Sequence, residues 1–234
     1  MSFNETSLEQ NSYRKQINSV YGAVNVGWKH LVYLDATLRG DQSSTLPIGN
    51  NVYVYPSFSG SFVFSELLKQ SDLMPYGKFR LSWAQVGSDT DPYQLGLVYS
   101  KSKFTYPGYT IGYINNSTMP NKNLKPTKTN SFELGLEMKF LKNRIGLDFT
   151  YYTQNSKNQI MGMASSWTSG YNYRLINAGE IENKGIEIAL NTRPIELKDF
   201  SWDLNLNFSK NSNKVKKLVD GMDMFELEKA AWLD

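Results

Sequence analysis

From Ser131 to Tyr152 the chain reads SFELGLEMKFLKNRIGLDFTYY. Every second position is apolar: Phe132, Leu134, Leu136, Met138 and Phe140, then, past Lys142-Asn143, Ile145, Leu147, Phe149 and Tyr151. The positions between carry Glu133, Gly135, Glu137 and Lys139, then Gly146, Asp148, Thr150 and Tyr152. Successive side chains of a strand point to opposite faces, so a period of two predicts a hairpin with one apolar face. The same period recurs along the chain. It predicts strands over 17–27 (Val20, Gly22, Val24, Val26), 30–40 (Val32, Leu34, Ala36, Leu38) and 52–67 (Val54, Phe58, Phe62, Phe64). Pro56, lacking a ladder donor, marks an end or a bulge in the third. Further strands are expected over 77–87 (Phe79, Leu81, Trp83), 183–193 (Ile186, Ile188, Leu190) and 200–209 (Trp202, Leu204, Leu206, Phe208). The fold class is all-β: an antiparallel up-and-down meander of about eight long strands.

Two environments write this pattern. A soluble β-sandwich buries its apolar face against a second sheet, whereas a membrane barrel turns that face to lipid. Strand length favours lipid, since a tilted membrane strand needs roughly nine to eleven residues and a globular strand averages about five or six. Loop lengths favour it too. Short connections (GWKH, LKQSDLMP, LKN, PIELKDF) alternate with long ones at 41–51, 88–130, 154–182 and after 210. Short turns on one rim and long loops on the other are the habit of outer-membrane barrels. Trp28, Trp83, Trp202 and the pair Tyr151-Tyr152 fall at or near strand ends, as interfacial girdles do. Glu133, Glu137, Lys139, Asp148, Arg80, Glu187 and Asp203 fall on the opposite face, fit for a wet lumen. The competing expectation is a soluble extracellular β-sandwich that binds carbohydrate through exposed aromatics.

Composition narrows the chemistry. The 234 residues include no cysteine, so disulfide staples, thiolate metal sites and cysteine nucleophiles are excluded. A net charge of +3, spread along the chain, does not suggest nucleic acid. No run of about 18 apolar residues predicts a membrane helix. His30, the only histidine, is placed at a short turn with no triad around it. No enzyme activity, cofactor or metal is expected. Asp89 and Asp91 in GSDTDPY have the spacing of a calcium loop but too few companions, and read as a polar turn. Aromatics make up 14% of the chain, with fifteen tyrosines. Tyr93, Tyr99, Phe104, Tyr106, Tyr109 and Tyr113 crowd the 88–130 connection, and Trp167, Tyr171 and Tyr173 the next. Flat rings with polar tips suit glycans and peptides, making Tyr106, Tyr109, Tyr113, Trp167, Tyr171 and Tyr173 the candidate ligand-binding residues.

Four stretches carry more than pattern: KFRLSWAQVGSD (78–89), NKNLKPTKTNSFELGLEMKFLKNRIGLDFTYYTQNSKNQI (121–160), NAGEIENKGIEIALNTRPI (177–195) and FSWDLNLNFSKNSNKVKKL (200–218). Together they resemble the barrel region of SusC/RagA-type TonB-dependent outer-membrane transporters. Thr127 stands where that family often carries glutamate. Lys125-Pro126 forces an extended approach to a strand, and Gly185 is expected to ease entry into one. The resemblance implies a bacterial outer-membrane nutrient importer of oligosaccharides or peptides. It further implies a plugged 22-stranded barrel, energy delivered through TonB and a SusD-like surface lipoprotein as cap. On that basis residues 1–234 are expected to form one partial barrel domain, without the plug domain, the TonB box and the closing C-terminal strand.

Overall fold

The computed structural model describes residues 12–68, 73–97, 99–101, 107–114 and 117–218. The first four strands are β1 (Ile17–Trp28), β2 (Val32–Ser43), β3 (Val52–Phe62) and β4 (Tyr76–Ser88). Three short strands follow: β5 (Tyr99–Lys101), β6 (Gly112–Ile114) and β7 (Thr118–Met119). The last four are β8 (Thr127–Phe140), β9 (Ile145–Ala164), β10 (Tyr173–Glu196) and β11 (Ser201–Lys217). The eight long strands pair in chain order as an antiparallel meander, while β5 pairs with β6 and β7 adds in parallel to the far end of β10.

Register carries the hydrophobic pattern across the whole sheet. One rung runs Trp28, Val32, Phe62, Phe79, Leu136, Phe149, Ile188, Phe208. One residue along every strand, the next rung runs Gly27, Tyr33, Ser61, Arg80, Gly135, Thr150, Glu187, Ser209. The first is apolar throughout and the second has no large apolar residue besides Tyr33. The rung also climbs. It leaves β1 at its last residue and meets β11 at Phe208, seven residues above Ser201. With short turns on one level, a climb of roughly 24 Å across seven strand spacings of about 4.8 Å tilts the strands by roughly 35°. Barrel strands tilt by about that much.

No second layer covers the apolar face among the described residues; the long strands pack on their sheet neighbours, and the short turn after β3 touches β4. Val20 (78% exposed), Val24 (63%) and Leu206 (52%) lie bare on it. The buried apolar residues are Leu46, Val63, Leu124, Met163 and Ala178, all outside the apolar rungs. A sandwich would bury the rungs, so the soluble reading fails on this point. On β8 the outward positions Phe132 to Phe140 span roughly 27 Å along the strand. That matches the roughly 25 Å apolar band of membrane barrels.

Several expectations need correcting. The third strand ends at Phe62 rather than at residue 67, because Val63 is buried and Phe64–Leu67 form a 3-10 turn. The Phe64 ring lies across Gly77, where a side chain would collide with it. The expected loop over 154–182 is mostly strand: β9 and β10 stay paired up to Ala164 and Tyr173, and only the tip between them turns. Likewise β11 continues to Lys217. Gly185 sits inside β10 rather than at its start. It is glycine because the Tyr152 hydroxyl and the Lys210 carbonyl would stand 2.6 and 2.7 Å from any Cβ there. Tyr152 therefore belongs to the polar face, while Tyr151 shares the apolar one with Leu134 and Ile186. Pro56 acts as expected: the β3–β4 ladder stops at Ser57–Ala84, and Val52–Pro56 pair with β2 alone.

Candidate functional site

The polar face is tied together by short side chains that reach across strands. Asp35 accepts hydrogen bonds from the Asn25 amide and, at 3.0 Å, from the Ser59 hydroxyl. Arg80 is the hub of the central part. Its Nη2 donates to Asp148 Oδ1 at 2.8 Å and Oδ2 at 3.2 Å, and Glu137 lies 3.9 Å from Nη1. The guanidinium reaches Asp148, two strands away, by crossing Gly135, whose Cβ would stand 2.7 Å from Arg80 Nε. Glycine at the register position facing Arg80 is what opens this path. Tyr152 crosses Gly185 in the same way and accepts from Asn211 at 3.2 Å. Planar side chains laid flat over glycines leave the wall smooth and polar.

The long-loop rim is built by two clamps. In the first, Asp89 accepts from Ser43 and Thr45 (3.1 Å) and pairs with Lys15 at 2.6 Å. Ser43, Thr45 and Leu46 are buried there, so the connection after β2 folds onto the wall. Burial pushes the Asp89 carboxyl up, but the Lys15 ammonium and the two hydroxyls outweigh it and hold it below its usual range. In the second clamp the Asn177 amide grips Lys125. Its Oδ1 accepts from Lys125 N–H at 2.8 Å and its Nδ2 donates to the Lys125 carbonyl at 2.7 Å. Nδ2 also reaches the Asn158 carbonyl at 3.0 Å. A primary amide matches both polar groups of one residue, as a neighbouring strand would. It seats Leu124, which has no exposed surface, and leads through Pro126 into β8.

The candidate aromatics are only partly gathered. Tyr106 lies outside the described residues, as does Phe104. Tyr109 (72% exposed) lies between β5 and β6, and Tyr113 stands in β6 opposite Ser100. Trp167 (82% exposed) occupies the turn at the β9–β10 tip, with Tyr171 beside it and Tyr173 opening β10. Among the described residues no ring contact joins the Tyr109–Tyr113 group to the Trp167–Tyr173 group; the ring pairs are Tyr53–Tyr55 and Phe58–Trp83. His30 lies in the β1–β2 turn near the Tyr33 hydroxyl, with a left-handed backbone. No cluster of three metal-ligating side chains occurs among the described residues. Sequence reading placed Arg80, Glu137 and Asp148 on one face but missed their convergence. The available signal was a glycine at the same height as an arginine. The Asn177 clamp was unreadable, because its halves lie 52 residues apart.

The comparisons agree with this geometry. A family model described as "TonB dependent receptor-like, beta-barrel" matches residues 2–223. The TonB-dependent receptor P3 of Formosa agariphila is 30% identical over 94% of this chain, which covers 22% of that receptor. The TonB-dependent receptor SusC of Bacteroides thetaiotaomicron is 29% identical over 92% of the chain, again covering 22% of the relative. The chain therefore spans about a fifth of the length of the curated relatives it matches. Among solved structures, the RagAB peptide transporter superposes with a TM-score of 0.85 at 22% identity, over 92% of this chain and 24% of that one. A single sheet, apolar on one face and ion-paired on the other, with that family match, settles the assignment: the chain belongs to the TonB-dependent receptor-like β-barrel family and forms barrel wall in the outer membrane.

Proposed function

We propose that this chain forms wall and external loops of a TonB-dependent importer of nutrient oligomers, either oligosaccharide or peptide. It works within a longer receptor that takes energy through TonB and is capped by a SusD-like surface lipoprotein. The observation that carries the reading is the pair of adjacent rungs. Side chains facing lipid alternate with side chains facing a hydrated passage, across eight strands without a break. Among the described residues the passage wall offers carboxylates, amides and the guanidiniums of Arg39, Arg80 and Arg193, each paired with a neighbouring carboxylate, and no nucleophile–base pair lies along it. This suits transit rather than bond chemistry. The relatives support import: RagAB is a peptide transporter, and one relative is the TonB-dependent receptor SusC. The exposed rings at the rim, Tyr109, Tyr113, Trp167 and Tyr173, with half-buried Tyr171 beside them, supply stacking faces for either class, and Tyr106 is assigned to the same loop group.

The test is uptake by the full-length receptor in a strain lacking it. Labelled oligosaccharides and labelled oligopeptides are supplied with and without a protonophore. Protonophore-sensitive uptake of one class, weakened by Trp167→Ala or Tyr113→Ala, is the expected result. Uptake of neither class, or uptake indifferent to the proton gradient, contradicts the proposal.

A further inference from the structure

Above Pro56 the wall is notched. The β3–β4 ladder stops at Ser57–Ala84, and only side chains bridge the gap beyond. Gln85 Nε2 donates to the Val54 carbonyl at 3.3 Å, and the Tyr55 hydroxyl donates to the Gly87 carbonyl at 3.0 Å. Gly87 admits the Tyr55 ring, which would stand 2.8 Å from a Cβ. The result is a notch of about 560 Å³ lined by Val52, Val54, Pro56, Gln85, Lys125 and Lys128, among others. Tyr53 and Tyr55 line it from polar-face positions, while Val54, Pro56, Gln85 and Lys128 occupy the register positions of the lipid-facing rungs and form its outer mouth, just above the Phe58–Trp83–Phe132 row.

Its charge is one-sided. No carboxylate lines the notch. Lys125 and Lys128 are exposed, and neither ammonium has an ion-pair partner among the described residues. Lys157 stands opposite Lys128 on β9 and is offset by Glu180 at 3.5 Å. Lys128 lies four residues above Phe132, roughly 13 Å along a tilted strand. A lysine stem spans much of the remaining height, so the ammonium meets the headgroup layer directly above the hydrocarbon. Neighbouring strands complete the site on both sides, within this chain.

We propose that this notch binds the phosphate-bearing headgroup of an outer-leaflet lipid. Lys125 and Lys128 take the phosphate, and Val52, Val54 and Pro56 continue the apolar belt upward beneath it. Continuity with the lipid face identifies the occupant, because a ligand held at the outer mouth by Lys125 and Lys128 sits on the bilayer surface. Unpaired cations without a carboxylate set its charge.

The test uses full-length receptor in phosphatidylcholine nanodiscs doped with bisphosphorylated lipid A or with its dephosphorylated form. Retained lipid is read by native mass spectrometry. Wild type is expected to keep the phosphorylated lipid, Lys125→Ala/Lys128→Ala to keep on the order of tenfold less, and Lys125→Arg/Lys128→Arg to keep most of it. Lys78→Ala on the polar face should match wild type. Should the double alanine variant not fold, the Lys128→Gln variant gives the same comparison. Equal retention by wild type and lysine-less receptor overturns the proposal, as does indifference to the lipid phosphate. Inorganic phosphate binding as tightly as the lipid would make the notch a soluble-anion site and equally overturn it.

Discussion

The β9–β10 hairpin contains two different β-sheets in one pair of strands. Below Thr153 and Lys184, Ile145, Leu147, Phe149 and Tyr151 face Thr192, Leu190, Ile188 and Ile186, while Gly146, Asp148 and Thr150 oppose Asn191, Ala189 and Glu187. Above, Asn155, Lys157, Glu180 and Glu182 take the same outward positions, and Gln154, Ser156 and Asn183 the inward ones. The lower half separates lipid from a passage, and the upper half is polar on both faces. The ladder is continuous through both, and β10 alone is 24 residues, more than twice a membrane crossing. Backbone pairing thus makes the strand, and alternation reports only what touches each face. Cross-strand polar pairs trim the upper part: Asn155 donates to Glu180 at 2.6 Å, and Lys216 pairs with Glu182 at 3.0 Å.

The largest break in this comparison comes from charging the belt. Leu136→Arg is expected to cost about 2–4 kcal/mol in equilibrium unfolding of the full receptor from liposomes, whereas Asn130→Arg, higher on the same face of β8, should cost about 1 kcal/mol or less. Similar costs at the two positions would erase the distinction between the halves. Next is Gly185→Ala, at the border. A Cβ there meets the Lys210 carbonyl at 2.7 Å, which cannot swing aside, so a loss of about 1–3 kcal/mol is expected in the same unfolding assay. Tyr152→Ala combined with it should recover only part of that, since the backbone clash remains.

Asn177→Ala acts at the rim. It leaves the Lys125 N–H and carbonyl without their partner, while the Asn158 carbonyl keeps the Thr127 hydroxyl, and should cost about 0.5–1.5 kcal/mol. Hydrogen exchange should rise around 121–127 and stay unchanged in the belt; uniform exchange would show the clamp to be idle. The smallest effect is on pH. Asp89 titrates below its unfolded value of about 3.9. Its contribution is therefore complete above that value and is lost as pH falls through the lowered folded one. Protease nicking of the connection after β2 should increase over that acid window in wild type and be pH-independent in Asp89→Asn.

The chain's pattern made the lower half legible and the upper half not. The rungs through Leu136 and Arg80 follow directly from period two, and so do the eight strands and the polarity of each face. Residues 154–182 read as a loop because a strand polar on both faces has no period to detect. Gly185 read as a loop entry because a glycine beneath a ring looks, in sequence, like a glycine in a turn. Of the candidate site, the aromatic crowding was visible, but Asn177 on Lys125 and Asp89 on Ser43 are long-range meetings that no local pattern encodes. Pro56 was readable as an interruption, and the notch it leaves was not.

The most direct test of the central claim is a single-cysteine scan of β8 from Phe132 to Lys139, in a cysteine-free full-length receptor embedded in outer membrane. A charged thiol reagent reports access to water. Positions 133, 135, 137 and 139 should label and 132, 134, 136 and 138 should stay protected. Labelling that ignores parity, or protects the even and odd positions the other way round, would contradict a wall with lipid on one side and a hydrated passage on the other.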